Sequence, residues 1–175
     1  MNRHRMRILA AIAGIAAVGA LVVGAVPVVA PARATPASGV TTVILAQSVF
    51  DDIHVKAHTR TPNHWKAQIK THGQSDGYVV DNKFAPGGTS GWHSHPGPSL
   101  IYVVAGTVTN YTSDDPSCTP QVYTAGDGFV DPGSGDVHLL RNETSAPAET
   151  IAVQLLPTGA PRRIDITPAP GNCPF

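Results

Sequence analysis

Gly91-Trp92-His93-Ser94-His95-Pro96-Gly97-Pro98 sets two histidines two residues apart between turn-forming glycines and prolines. On an extended chain, residues i and i+2 point to the same side, so both imidazoles reach one point in space together. Pro86-Gly87-Gly88 before the pair and Pro96-Gly97-Pro98 after it fix the flanking turns. A third histidine, His138, follows the turn Pro132-Gly133-Ser134-Gly135 and leads into a β-prone run. Imidazole is the commonest protein ligand for borderline divalent metals, and three of them leave coordination positions open. His93, His95 and His138 are thus candidate ligands of one divalent ion, and a barrel can bring the strand of His138 beside the first pair.

Working outward, the chain reads as short strands. β-prone runs occur at 42–50, 53–59, 65–70, 77–84, 99–104, 107–112, 121–123, 128–130, 137–141 and 150–156. Turn residues separate them, among them Thr61-Pro62-Asn63, Ala85-Pro86-Gly87-Gly88, Asp114-Asp115-Pro116 and Asp131-Pro132-Gly133. No segment after the N-terminal region shows a long apolar stripe at helical period. About ten short strands at this spacing predict an all-β sandwich or barrel. In 99–104, Ser99, Ile101 and Val103 share one face, and Leu100, Tyr102 and Val104 share the other. One face is expected inside the barrel, the other against a second sheet or a partner.

The first residues set the compartment. Arg3, Arg5 and Arg7 precede an uncharged run from Ile8 to Val29, and Ala32-Arg33-Ala34 offers small residues for cleavage. This pattern predicts a secretory signal over 1–34, cleaved after Ala34. The run is also long enough to serve as a retained membrane anchor. The arginines are interleaved with no adjacent pair, so the signal reads as Sec-type. A Pro/Ala/Ser linker is expected at 35–40 and one domain over 41–175. Without the leader, eight Lys plus Arg face twelve Asp plus Glu, a net charge near −4. That balance argues against a nucleic-acid partner. Two cysteines, Cys118 and Cys173, are expected to pair as one disulfide outside the cytoplasm.

At this point a family resemblance is plain. The segment 87–106 resembles the first motif of the cupins: glycine, the His93/His95 pair, and the closing Gly106. The segment 126–142 resembles the second, with Gly126, Pro132, Gly135, His138 and Asn142 in its pattern and one extra residue between Pro132 and His138. The wording around the pair is similar to small single-domain bacterial cupins. The resemblance implies a jelly-roll β-barrel with the metal inside it, and dimers formed through sheet packing. One departure matters. The positions that the family pattern gives to a ligating glutamate hold Ser99 and Leu100, and the only glutamates, Glu143 and Glu149, lie elsewhere. Three-histidine cupins that oxidise thiols with iron and O₂ resemble what remains. A hydroxyl in place of a carboxylate leaves the site more positive, which favours an anionic substrate or co-ligand.

Other residues were weighed beside these. Gln154, in the last strand, reads as lining the barrel mouth or as an ordinary solvent-facing position. Trp92 reads as a pocket wall or as an anchor for the turn. His54 and His58 share a strand face that reads first as solvated and second as another metal site. Asp127 and Asp131 read first as turn residues and second as partners of a histidine. The expected cofactor is one divalent metal ion, Zn, Cu, Ni, Mn or Fe. The ligand set points to iron oxygenases, and export points away from Fe(II). The resulting expectation is an exported metal-binding cupin acting as an oxygenase on a small molecule. The alternatives are a non-catalytic module that sequesters a metal or small ligand, and a domain that the metal only staples.

Overall fold

The computed structural model describes residues 36–60 and 64–175, and every regular element in them is a β-strand. The expected leader, 1–34, lies outside the described residues. In chain order the strands are β1 Ser38–Phe50, β2 His54–His58, β3 Lys66–Lys70, β4 Ser75–Thr89, β5 His93–Ser94 and β6 Ser99–Ala105. They continue as β7 Thr107–Thr112, β8 Gln121–Thr124, β9 Gly128–Asp131, β10 His138–Arg141, β11 Ala148–Pro157 and β12 Ile164–Asp165. All pairings are antiparallel.

Ten strands form one sheet, which curls into a nearly closed jelly-roll barrel. Its path runs β12-β5-β10-β4-β11-β6-β9, with β1 also on β4, and β7 bridging β10 and β8. β2 and β3 pair only with each other, in a hairpin whose strands are mostly exposed. His54 and His58 lie there in solvent, as their alternation predicts.

Alternation builds the interior. Along β6, Ser99, Ile101 and Val103 are buried while Leu100, Tyr102 and Val104 are each about half exposed. Along β11, Ala148, Thr150, Ala152, Gln154 and Leu156 all turn inward. Phe84, Val103, Val108, Leu140 and Ala148 close part of the barrel as an apolar cluster, and Val80, Ile101 and Ala152 form another. Burying side chains of this size contributes roughly 1.5–3 kcal/mol each.

Two segments depart from the sequence reading. β1 starts at Ser38, inside the stretch read as linker, because its backbone pairs with β4 as far as Ser38↔Thr89 and Val40 packs on the Phe84 cluster. Ala85-Pro86-Gly87-Gly88 does not end a strand. It is a bulge within β4, where the register with β1 slips between Ser38/Thr89 and Val40/Phe84. Gly87 takes a positive φ of 74° there, and Asn142 N–H and C=O hold the bulge through Gly88 O and Gly87 N, both at 2.9 Å. Tyr102 lies opposite Ser99 and is half exposed, on the face expected against a second sheet or a partner.

Cys118 and Cys173 form a disulfide across 55 residues, which ties the C-terminal tail to the loop after β7. Trp92, Tyr111, Leu139 and Cys173 pack together around that tie.

Candidate metal centre

The two histidine segments meet because two backbones touch. A Cβ on Gly133 would collide with the Gly97 backbone, so the turn before His138 sits directly on the loop after His95. His138 then pairs across the ladder with His93. The ring centroids are 4.4 Å apart for His93 and His138, 4.9 Å for His93 and His95, and 5.5 Å for His95 and His138. One ring nitrogen from each of the three lies within 4.8 Å of the others, and all three residues are buried.

Hydrogen bonds set which nitrogens face inward. His93 Nδ1 lies 2.8 Å from Gly91 O, and His95 Nδ1 lies 2.6 Å from Arg162 O. A carbonyl oxygen only accepts, so each Nδ1 carries the proton and each Nε2 keeps its lone pair. His95 Nδ1 also approaches Gln154 Nε2 at 3.5 Å, but with both nitrogens carrying hydrogen this is a contact and not a hydrogen bond. His138 Nδ1 is buried, with the Asp136 backbone beside it and Asp131 Oδ1 3.9 Å away.

Burial lowers the pKa of all three imidazoles. His93 lies well below the usual histidine value, first because burial strips water from its charged form and then because His138, Arg163 and His95 add positive charge. His95 and His138 are lowered by burial too, although the Arg162 carbonyl works against it at His95, and the Asp131 and Asp136 carboxylates at His138. Three buried imidazoles whose ring nitrogens converge, two of them with the Nε2 lone pair fixed away from a backbone carbonyl, fit a divalent ion and do not fit a packed apolar core. Asp131, Asp136 and His138 form a second converging group on the same wall. Burial raises the pKa of Asp136.

The centre opens into a cavity of about 170 Å³. Ser99 lines it, at the position where a glutamate was expected. Ser99 is cross-strand from Asp131 on one side and Gln154 on the other. Its hydroxyl accepts from Gln154 Nε2 at 3.1 Å and donates a long bond of 3.4 Å to Asp131 Oδ2. Asp131 is both of the things its position offered: its Oδ1 accepts from Gly133 N–H at 2.8 Å, as a turn residue, and it faces His138. Asp127 is a turn residue, accepting from Thr124 N–H at 2.7 Å. Gln154 is 3% exposed and lines the cavity, so the solvent-facing alternative falls. Trp92 does not wall the cavity. The alternation that turns His93 inward turns Trp92 outward, into the Tyr111–Leu139–Cys173 cluster, where it anchors the turn.

Two lining residues, Arg162 and Arg163, carry no sequence signal of their own. They come to the centre because Asp165 pairs with His93 and Ile164 with Ser94, which lays the tail across the strand of the first two histidines.

A small antiparallel barrel with two histidine-bearing segments converging inside it defines the class: a single-domain jelly roll built around a metal-type centre. Residues 82–154 match the family model described as the cupin domain, and that span contains His93, His95, His138 and Ser99. Over that span the chain is similar to the small proteins of the cupin superfamily. No curated protein sequence matches the chain. Among solved structures, a cupin superfamily protein from Desulfitobacterium hafniense is 16% identical, over 71% of this chain and 82% of that one, with a TM-score of 0.45. A conserved protein with a double-stranded β-helix domain from Klebsiella pneumoniae subsp. pneumoniae is 18% identical over 67% and 86%, with a TM-score of 0.44. An oxalate oxidase is 23% identical over 51% and 46%, also at 0.44.

Proposed function

We propose that the protein is an exported cupin that holds one divalent metal on His93, His95 and His138 and acts on a small molecule there as an oxygenase. The observation that carries this reading is the convergence of three buried, neutral imidazoles on one cavity. When bound, the metal would supply Lewis acidity and, as iron, manganese or copper, one-electron chemistry with O₂. The chain does the rest. Gly91 and Arg162 carbonyls hold His93 and His95 in one tautomer. Gln154 Nε2 donates to the Ser99 hydroxyl, which donates to Asp131, and Asp131 also accepts from Gly133 N–H, so the three are tied to one another. Polar groups engaged in this way favour chemistry carried by the metal over hydrolysis.

The same saturated polar groups favour a second reading, a non-catalytic module that sequesters a metal or small ligand outside the cytoplasm. Under both readings, the pattern over 1–34 supports Sec-type export, and the half-exposed Leu100, Tyr102 and Val104 support pairing with a second copy. Elemental analysis of the protein from its exported fraction tests the centre, with about one equivalent of metal per chain expected. Less than about a tenth, after reconstitution with each of the five metals, contradicts it. Oxygen uptake with thiols and small phenols separates the readings: turnover supports the oxygenase, and none with any metal form supports the module.

A further inference from the structure

Arg162 is a half-buried guanidinium with an unanswered charge. Its one side-chain partner among the described residues is neutral: NH1 donates to Gln154 Oε1 at 3.2 Å. No carboxylate oxygen of the described residues lies within 4.0 Å of it. Arg163 differs, because its Nε donates to Asp165 Oδ1 at 2.6 Å and its NH2 forms an ion pair with the same oxygen and donates to Ser90 O. Desolvating a cation without a counter-charge is costly, and one contact to an amide is a poor return. A guanidinium offers five N–H donors in a planar fork, and most of that of Arg162 is unused.

The surroundings indicate what uses it. Gln154 links Arg162 to Ser99 and lies against His95, so the guanidinium flanks the histidine centre. Among the lining residues Asp131 is the single carboxylate, and it is turned to Gly133 and His138. The remaining walls include the apolar Phe84, Ile101, Leu140 and Ala152. At about 170 Å³ the cavity compares with the ~150 Å³ that hold one benzene ring, which limits a ligand to about six to eight non-hydrogen atoms.

We infer that the site takes a short-chain carboxylate, its carboxyl group between the Arg162 guanidinium and the three-histidine centre and its carbons on the apolar wall. This rests on the metal-centre reading above and names the ligand class for it. Inorganic phosphate shares the fork-accepting oxygens, but it leaves the apolar wall uncovered.

Calorimetric titration of the zinc-loaded protein with butyrate tests the inference, with butyramide and phosphate as comparisons and zinc content measured on the same samples. Butyrate should bind with a stoichiometry of about one, and butyramide and phosphate about tenfold more weakly or worse. R162Q should weaken butyrate by about tenfold or more at unchanged zinc content, since the carbonyl that orients His95 belongs to the backbone. R162K, a cation without the fork, should fall between. Butyramide binding as tightly as butyrate overturns the inference without any variant, as does wild-type affinity in a folded R162Q. Phosphate binding more tightly than butyrate overturns the carboxylate assignment. A sample without zinc that still binds butyrate through Arg162 contradicts the metal reading and upholds this one.

Discussion

The imidazoles of His93, His95 and His138 are neutral in the fold because burial outweighs every nearby carboxylate. Each folded-state pKa lies below the usual 6.5, so below pH 6.5 the unfolded chain binds more protons than the folded one. The stability of the metal-free protein is therefore complete above pH 6.5 and falls as pH drops from there through the lowered values. Protons compete with metal for the same nitrogens, so metal affinity falls in the same direction. Thermal unfolding of the metal-free protein from pH 7.5 to 5 should show a falling midpoint, and replacing the three histidines with glutamine should flatten it. An unchanged midpoint in the native protein contradicts neutral, buried imidazoles. Asn142 is the other residue whose single side chain decides much. It is fully buried, and its Nδ2 donates to Ala146 O at 2.7 Å, Ala85 O at 3.2 Å and Phe84 O at 3.3 Å. Asn142→Ala strips these carbonyls of their donor and should cost about 2–4 kcal/mol, read by urea unfolding. A cost below about 0.5 kcal/mol would remove the Asn142 side chain from the account of the bulge.

At the scale of elements, what was legible followed from period and punctuation. β6 and β11 alternate cleanly, so the residues that share a face could be read from the sequence, whereas the inward turn of Ser99 and Gln154 was decided by which face the rest of the barrel covers. β5 and β12 could not. Two residues are too few to show alternation, and each is a strand only because a distant segment pairs with it. The Pro-Gly-Gly run in β4 was misread because the same residues that break strands also make bulges, and only the partner strand decides between them. The candidate site divides likewise. The histidines announced themselves by spacing and by the second motif. Arg162 and Arg163 follow no motif and reach the cavity through tertiary pairing of the tail. The tail is itself tied by the Cys118–Cys173 disulfide, which closes a separation of 55 residues. Replacing both cysteines with serine should lower stability by about 2–4 kcal/mol in denaturant unfolding. A change of less than about 0.5 kcal/mol would show that the tail holds without the tie.

For the whole molecule, the outer face of the sheet carries the clearest unmet requirement. Val153, Leu100 and Val130 stand in one row across β11, β6 and β9, each between 41% and 61% exposed, with Tyr102 and Val104 alongside. Contiguous apolar surface of this kind is what an interface needs, and it supports the proposed pairing with a second copy through the same face, in closed symmetry. Light scattering at micromolar concentration should give about twice the mass of one chain, and Leu100→Lys with Tyr102→Lys should halve it. A native protein that runs as a monomer contradicts this pairing. The central claim concerns the inside of the barrel and does not depend on the dimer. Its most direct test is anomalous diffraction from crystals of the metal-loaded protein. The account predicts one peak at about 2.0–2.1 Å from Nε2 of His93, His95 and His138. A peak held instead by Asp131, Asp136 and His138, or no peak in the barrel, would contradict it.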